Sequence, residues 1–179
     1  MDTNSRILCY DIRDLGKQLL PVGMLVVLDS VFNRIIRNRR LGRSTWVYID
    51  EIYLLFQHEY SANFLFTLWK RVRKYGACCT GLTQNVDDLL QSHTARTMLA
   101  NSEFLVMLNQ AAGDREKLAH LLNISEEQMS YITNADAGCG LIKYGSALVP
   151  FINRFPHNTE LYRLMTTRPG EGRFSGGRA

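Results

Sequence analysis

The sequence predicts an α/β domain with a mainly parallel sheet flanked by helices and a β-hairpin towards its C-terminal end. Two observations predict it. Strand-like and helix-like segments alternate along the whole 179 residues, the pattern of βαβ units. The run Trp46-Val47-Tyr48-Ile49 is apolar without a break and ends in Asp50-Glu51, as a central strand covered on both faces would. The composition supports one core, with 46% of residues hydrophobic and 21% charged. A chain of this length buries about 70% of its extended surface and needs no disulfide staples. Disordered, collagen-like and coiled-coil classes are excluded.

Arg6 to Ile12 (RILCYDI) reads as a short strand, and a helical region runs from Asp14 to about Arg39. Leu41-Gly42-Arg43-Ser44 is a loop before the second strand, Trp46 to Asp50. Ser61 is a candidate cap for a helix with Phe64, Leu65, Leu68, Trp69 and Val72 on its apolar face. Gly76 follows that helix's basic last turn as a stop. Ala77 to Thr83 is the third strand, short helices continue to Ala100, and Glu103 to Leu108 is the fourth strand. Ser125 and Gln128 fit a capping box, with Ile124 and Met129 spaced as a hydrophobic staple. Ala137 to Lys143 and Ala147 to Ile152 pair as a hairpin around Tyr144-Gly145-Ser146. Pro150 has no N–H for a ladder, which sends the last strand to an edge or bulge. The span 1–165 is therefore one domain, and the Gly- and Arg-rich stretch 166–179 is a flexible tail.

The formal charge of +4 says little as a total, but its placement is uneven. Arg34, Arg37, Arg39, Arg40 and Arg43 occupy one stretch without an acid, and Lys70, Arg71, Arg73 and Lys74 form a second. The first cluster could follow a phosphate backbone, but it closes a helix and flanks a loop, so a solvated basic turn is the favoured reading. No aromatics interleave with either cluster as in a single-strand binding face. Cys9, Cys78, Cys79 and Cys139 form no Cys-x-x-Cys pair, so they read as small buried hydrophobes in a reducing compartment. Trp46 and Trp69 read as core. His58, His93, His120 and His157 share no metal-ligand spacing and read as surface or satisfied histidines. The N-terminus carries charges where a signal peptide would have its apolar core. The longest apolar run, Leu19 to Leu28, is half the ~20 residues of a spanning helix and holds Pro21. A soluble, cytoplasmic chain is expected, able to dock on a membrane complex.

Chemistry concentrates at two strand ends. Asp50 and Glu51 close an apolar strand, where ligands of α/β sheets sit. Phosphoryl transfer uses such a pair, one acid holding Mg²⁺ and the next orienting or deprotonating the attacking water. The same pattern also describes a buried strand ending in a solvated acidic turn. The next strand ends in Thr83-Gln84-Asn85. Gln84 there can reach a γ-phosphate or its water, or simply bond to backbone, and Asn85 can cap the following helix. In Lys70-Arg71-Val72-Arg73-Lys74, basic residues offset the helix dipole, or one of them acts as an arginine finger on a neighbouring subunit.

These strings, WVYIDE, LWKRVRKYG, TGLTQN, LANSEFLVMLNQ and DAGCGLIKYG, closely resemble the C-terminal motor domain of the type IV secretion (VirB-type, conjugal-transfer) ATPases. That family belongs to the HerA/FtsK-like branch of RecA-type P-loop proteins. The resemblance runs from about Arg6 to Thr167. It implies a partial RecA-like P-loop NTPase domain with Asp50 and Glu51 as the Walker B pair. Asp50 would hold Mg²⁺ and Glu51 would polarise the water. Gln84 would be the sensor glutamine, Arg73 a finger acting in trans, and Thr83 and Arg115 nucleotide contacts, Arg115 also being a second candidate finger. ATP and Mg²⁺ are the implied cofactors. The implied partners are identical subunits in a hexamer, other secretion-system subunits and an inner-membrane complex, with DNA as a further candidate.

No Gly-x-x-x-x-Gly-Lys-[Ser/Thr] occurs in the sequence. Leu15-Gly16-Lys17-Gln18 lacks the first glycine and the hydroxyl, and Gly138-Cys139-Gly140 leads into a strand. The chain thus reads as the C-terminal portion of a longer ATPase, inactive alone. In RecA-type order the phosphate-loop strand would lie between Ala77–Leu82 and Glu103–Leu108. Those two strands are then expected to pair directly or to leave an apolar edge open. The alternatives are a DNA-translocating coupling-type ATPase of the same clan and a non-catalytic basic module binding nucleic acid or a partner subunit. A metal nuclease would need further acidic ligands.

Overall fold

A computed structural model describes residues 5–12, 14–16, 18–166, 168 and 170–171. The predicted flexible tail and Lys17 lie largely outside them. The chain forms two compact units, Met1–Ser102 and Glu103–Ala179.

The first unit is built on a parallel strand pair. Helix α1 (Leu20–Arg40) leads into β1 (Thr45–Ile49), which pairs with β2 (Ala77–Gly81) in the register Thr45↔Ala77 to Ile49↔Gly81. A short 3₁₀ turn (Ile52–Phe56), helix α2 (Glu59–Arg71) and a second 3₁₀ turn (Val72–Tyr75) make the crossover. Helices α3 (Val86–Gln91) and α4 (His93–Ala100) follow β2, as the two short helices expected there. One core joins Met24, Leu28 and Ile35 of α1 to Leu65, Leu68 and Val72 of the crossover. Val47, Ile49, Ala77 and Cys79 reach it from one face of the strand pair.

Four sequence expectations fail here, each for a local reason. Arg6–Ile12 forms no strand. It finds no ladder, and is tied instead by the Tyr10 hydroxyl to Ser30 Oγ (2.8 Å) and by Arg34 donating to the Ser5 carbonyl (2.5 Å). Helix α1 begins at Leu20 rather than at Asp14, because Pro21 suits only a first turn. Ser61 is no cap: α2 starts at Glu59, and the buried Ser61 hydroxyl lies 2.5 Å from the Leu55 carbonyl and 3.0 Å from that of His58. β1 is covered on one face only, leaving Trp46 and Tyr48 66% and 67% exposed. Trp46 is therefore not core, whereas Trp69 packs against it. Gly76 does stop the crossover in a left-handed conformation (φ 64°).

The second unit holds an antiparallel sheet. β3 (Phe104–Met107) pairs with β4 (Cys139–Tyr144), and β4 pairs with β5 (Ala147–Ile152). The predicted hairpin is present, and Pro150 does lie on an edge strand. Gly140 is obligatory, since a Cβ there would strike the Met107 carbonyl of β3. β2 and β3 each keep an unpaired edge among the described residues. Phe104 and Val106 of β3 are exposed, so the open edge, not direct pairing, is the outcome. Helix α5 (Ala112–Leu122) went unread in the sequence. It has no side-chain cap and buries only Leu118 and Leu122, too little periodicity to see. Helix α6 (Glu126–Met129) has both halves of its capping box: Gln128 N–H donates to Ser125 Oγ (3.2 Å) and Ser125 N–H to Gln128 Oε1 (3.0 Å). A last short helix, α7 (Glu160–Met165), is capped by Thr159.

No helix among the described residues is long and apolar enough to cross a membrane. All four histidines are exposed. Of the cysteines, Cys9 and Cys78 are exposed and Cys79 and Cys139 half-buried, so none is the fully buried hydrophobe expected. Burial pushes the Cys79 thiol from its ordinary 9.0 up to about 12, helped by the neighbouring Cys78. A thiol with a raised folded pKa supports the fold fully below the unfolded value and loses that support as pH climbs from about 9 towards 12. At pH 8, iodoacetamide should modify Cys9 and Cys78 and spare Cys79 until guanidinium unfolds the chain, as read by peptide mass mapping. Equal labelling of Cys78 and Cys79 would contradict this burial.

Candidate functional site

Because β1 and β2 are parallel and in register, their carboxyl ends stand side by side. The ladder continues one step beyond each strand: Leu82 N–H donates to the Ile49 carbonyl and Ile52 N–H to the Leu82 carbonyl, both at 2.9 Å. Of the two residues between Ile49 and Ile52, Glu51 is left-handed (φ 46°, ψ 50°). It turns the chain out of the strand and into the 3₁₀ turn, at a cost of about 1–2 kcal/mol for a side chain in this region. Gly81 lets this turn close, since a Cβ there would press on the Ile52 side chain.

The turn separates two carboxylates. Asp50 is exposed, and its Oδ1 accepts from Glu51 N–H (3.1 Å). Glu51 is half-buried, and its Oε2 accepts from Gln84 N–H, a long 3.4 Å bond across to the end of β2. Thr83 Oγ1 is engaged locally, accepting from Asn85 N–H (3.1 Å) and lying 3.3 Å from the Asn85 carbonyl. Asn85 caps α3 through Asp88 N–H (3.2 Å). The Gln84 side chain is exposed. Asp50, Glu51, Thr83 and Gln84 thus converge on one edge.

The two arginines do not join them there. Arg73 is exposed in the 3₁₀ turn that precedes β2, at the opposite end of a strand spanning about 13 Å. Arg115 lies in the second unit, half-buried in the first turn of α5. It lines an open groove of about 420 Å³ with Glu116, Glu126, Met129, Ser130 and Thr133, none of them a predicted site residue. The left-handed Glu51 had no sequence signal, because glutamate does not favour that region.

Among the described residues no cluster of three or more His, Cys, Asp or Glu could hold a metal. Asp50 supplies only the hard oxygen donors that Mg²⁺ takes alongside water and phosphate oxygens. The donor chemistry fits Mg²⁺ through a single carboxylate.

An α/β unit with its polar and acidic residues gathered beyond the carboxyl ends of parallel strands has the layout of a ligand-binding α/β domain. Residues 3–140 match the TraG P-loop domain, and the chain belongs to that family. Among solved structures it is similar to VirB4 of Thermoanaerobacter pseudethanolicus, with 28% identity and a TM-score of 0.71. The likeness covers 82% of this chain and 40% of that one, so the chain spans less than half the length of this relative. No curated protein matches it significantly.

The backbone at Glu51 makes a prediction that needs no activity. Glu51→Gly and Glu51→Ala both remove the carboxylate, and only alanine keeps a Cβ in the left-handed region. The glycine variant should be the more stable by about 1 kcal/mol in urea denaturation. In an ordinary strand or helix the order would be reversed.

Proposed function

We propose that this chain supplies the hydrolytic half of an ATPase motor that powers a type IV secretion or conjugative DNA-transfer system. On this reading 1–165 is the C-terminal part of a RecA-like ATPase domain, from the Walker B strand onward. The observation that carries it is the meeting of Glu51 and Gln84 across the carboxyl ends of β1 and β2, in a TraG P-loop family chain. The likeness to VirB4 supports the secretion context.

The chemistry assigned to the site is in-line hydrolysis. Glu51 takes a proton from water as the water oxygen bonds to the γ-phosphorus, and the bond to the bridging oxygen breaks to release ADP. Mg²⁺, when bound, would offset the charge developing on the phosphate oxygens, and Asp50 is the residue to hold it. Gln84 orients the water, and Thr83 lines the nucleotide side. A long hydrogen bond from Gln84 N–H (3.4 Å) already reaches Glu51 at this edge. Arg73 is the finger offered to a neighbouring subunit, since it is exposed and remote from Glu51 of its own chain. Arg115 is the second candidate. A hexameric ring at the cytoplasmic face of a membrane complex completes the proposal.

In the complete ATPase, Glu51→Gln should keep nucleotide binding and lose at least about a hundredfold in turnover. Mixing Glu51→Gln with Arg73→Ala subunits should restore part of the activity at interfaces where two intact halves meet. Unchanged turnover in the first case would remove Glu51 from the mechanism, and a dead mixture would make Arg73 structural.

The 179-residue chain by itself should show no ATP turnover and only weak binding of a fluorescent ATP analogue. P-loop motors draw most of their phosphate affinity from backbone N–H groups and the lysine of Gly-x-x-x-x-Gly-Lys-[Ser/Thr], a pattern this sequence does not contain. Turnover abolished by Glu51→Gln would reveal a phosphate cradle of another kind.

A further inference from the structure

The glycines at the two ends of β2 are there for opposite reasons. Gly76 is required by its backbone: it is left-handed, and a Cβ there would meet nothing within 4 Å. Gly81, the last residue of β2, lies outside the left-handed region, so its backbone does not bar a side chain. The bar is Ile52. A Cβ at position 81 would stand 2.5 Å from Ile52 Cδ1, 3.2 Å from Cγ2 and 3.4 Å from Cβ, its three nearest atoms. Ile52 is 5% exposed and belongs to the core cluster with Leu55, Leu65 and Leu89, so it has no open space to retreat into. It rests where position 81 would otherwise carry a side chain. The residue before it is Glu51. Leu54 N–H donates to the Glu51 carbonyl (3.0 Å), and Ile52 N–H to the Leu82 carbonyl (2.9 Å). The tie on the Glu51 side chain is the weakest of the set, since 3.4 Å from Gln84 N–H is at the outer limit of a hydrogen bond. Any outward shift of the turn breaks it.

We propose that Ile52 and Gly81 are positioning residues, and that the seat of Ile52 on Gly81 holds Glu51 against Gln84 for water activation. This rests on the hydrolytic reading of Glu51 and adds to it two residues with no acidic, basic or metal-binding side-chain atom. The argument is one of stiffness. The hydrogen bonds set the direction in which the turn leaves β1, but they stretch readily. Packed carbons in contact do not give in the same way, because interiors are close-packed and transmit strain. The missing Cβ of Gly81 therefore sets how closely the 3₁₀ turn approaches the end of β2. A carbon added there pushes the turn outward. A carbon removed from Ile52 frees the turn to relax, and the left-handed backbone of Glu51 supplies the strain that drives it. Either change takes the carboxylate away from Gln84. A reacting group misplaced by about 1 Å loses up to about a hundredfold in rate. Substrate affinity is spared, since a general base acts in the transition state and adds little to ground-state binding. A glycine within a strand also costs stability unless something needs its missing side chain, and here the turn that carries Glu51 needs it.

The test is steady-state ATP hydrolysis by the complete ATPase, with one carbon moved between the two positions. Gly81→Ala adds a carbon against Ile52, Ile52→Val removes the Cδ1 that faces it, and the double variant does both and conserves the volume of the pair. Gly81→Ala should lower kcat by about ten- to a hundredfold and Ile52→Val by about fivefold. KM for ATP should stay within about twofold in both, the mark of an interaction made in the transition state. The double variant should return kcat to within about twofold of the parent, above either single change. A packing role without positioning would lower the urea midpoint and leave kcat alone, and that result would overturn the proposal. A double variant no faster than Gly81→Ala would overturn it too. Should Gly81→Ala fail to fold, the comparison of Ile52→Val with the double variant decides: kcat restored in the double supports the proposal, and equal kcat in both overturns it. Glu51→Gln, assayed alongside, separates this proposal from the reading beneath it. Turnover lost in Glu51→Gln but full in Gly81→Ala and Ile52→Val would overturn the positioning role alone. Turnover unchanged in Glu51→Gln would remove the hydrolytic reading and this proposal together.

Discussion

The hydrogen-bonded register of β1 with β2 is the constraint on which the first unit depends. A parallel pair needs a long crossover, and the crossover here is α2, whose apolar face closes the core over one side of the strands. The same register brings Ile49 beside Gly81 at one end and Thr45 beside Ala77 at the other. Every residue beyond those ends is then placed by a short, capped turn. At the carboxyl end the turn is the left-handed Glu51; at the amino end it is Gly76. A slip of one residue would turn Val47 and Ile49 away from the core and pull Glu51 from Gln84 at once.

That constraint explains which parts of the sequence were readable. Gly76 as a stop, Asn85 as a cap, the Ser125–Gln128 box and the hairpin around Gly145 are local devices, set by residues within four positions of one another. They can be read without knowing the fold. Arg6–Ile12 and Trp46–Ile49 failed because their fate depends on partners. RILCYDI has strand composition but no ladder to join, and WVYI has the apolar run of a strand covered on both faces with only one face covered. Ser61 failed for a related reason. Its hydroxyl had a better offer from the Leu55 and His58 carbonyls than from a helix N-terminus.

The placement of the candidate residues was legible to a similar degree. That Asp50, Glu51, Thr83 and Gln84 share one edge could be expected because strand ends are visible as changes from apolar to polar residues. What escaped was how Glu51 gets there. Its position is fixed by a backbone conformation that costs energy and by a long bond from Gln84 N–H. Strain of this kind at a strand end is a reason to look for function, since selection for stability alone would favour glycine at that position. Arg73 was found as a basic residue in a last turn, but its position at the far end of the strand pair follows only from topology.

The opposite charges at the two ends of the first unit follow from helix direction. In this unit α1 and the α2 crossover run back to the amino ends of the strands, so their negative dipole ends stand there, and Arg37, Arg39, Arg40, Lys70 and Arg71 fill those last turns. At the other end α3 starts four residues after Leu82, and its positive end faces Asp87 and Asp88 in its own first turn. One basic residue per helix terminus would satisfy the dipole, whose charge is about half a unit. The amino edge carries several more than that, none offset by an acid in the segments that form it. A surplus of cations beyond what the helices need, on turns held rigid by left-handed caps, is not explained by stability. Like charges so placed repel, and the fold tolerates the repulsion only because the edge is open to solvent and counter-ions. The acidic and polar residues at one end of a short parallel pair and the cations at the other are thus two consequences of the same strand register.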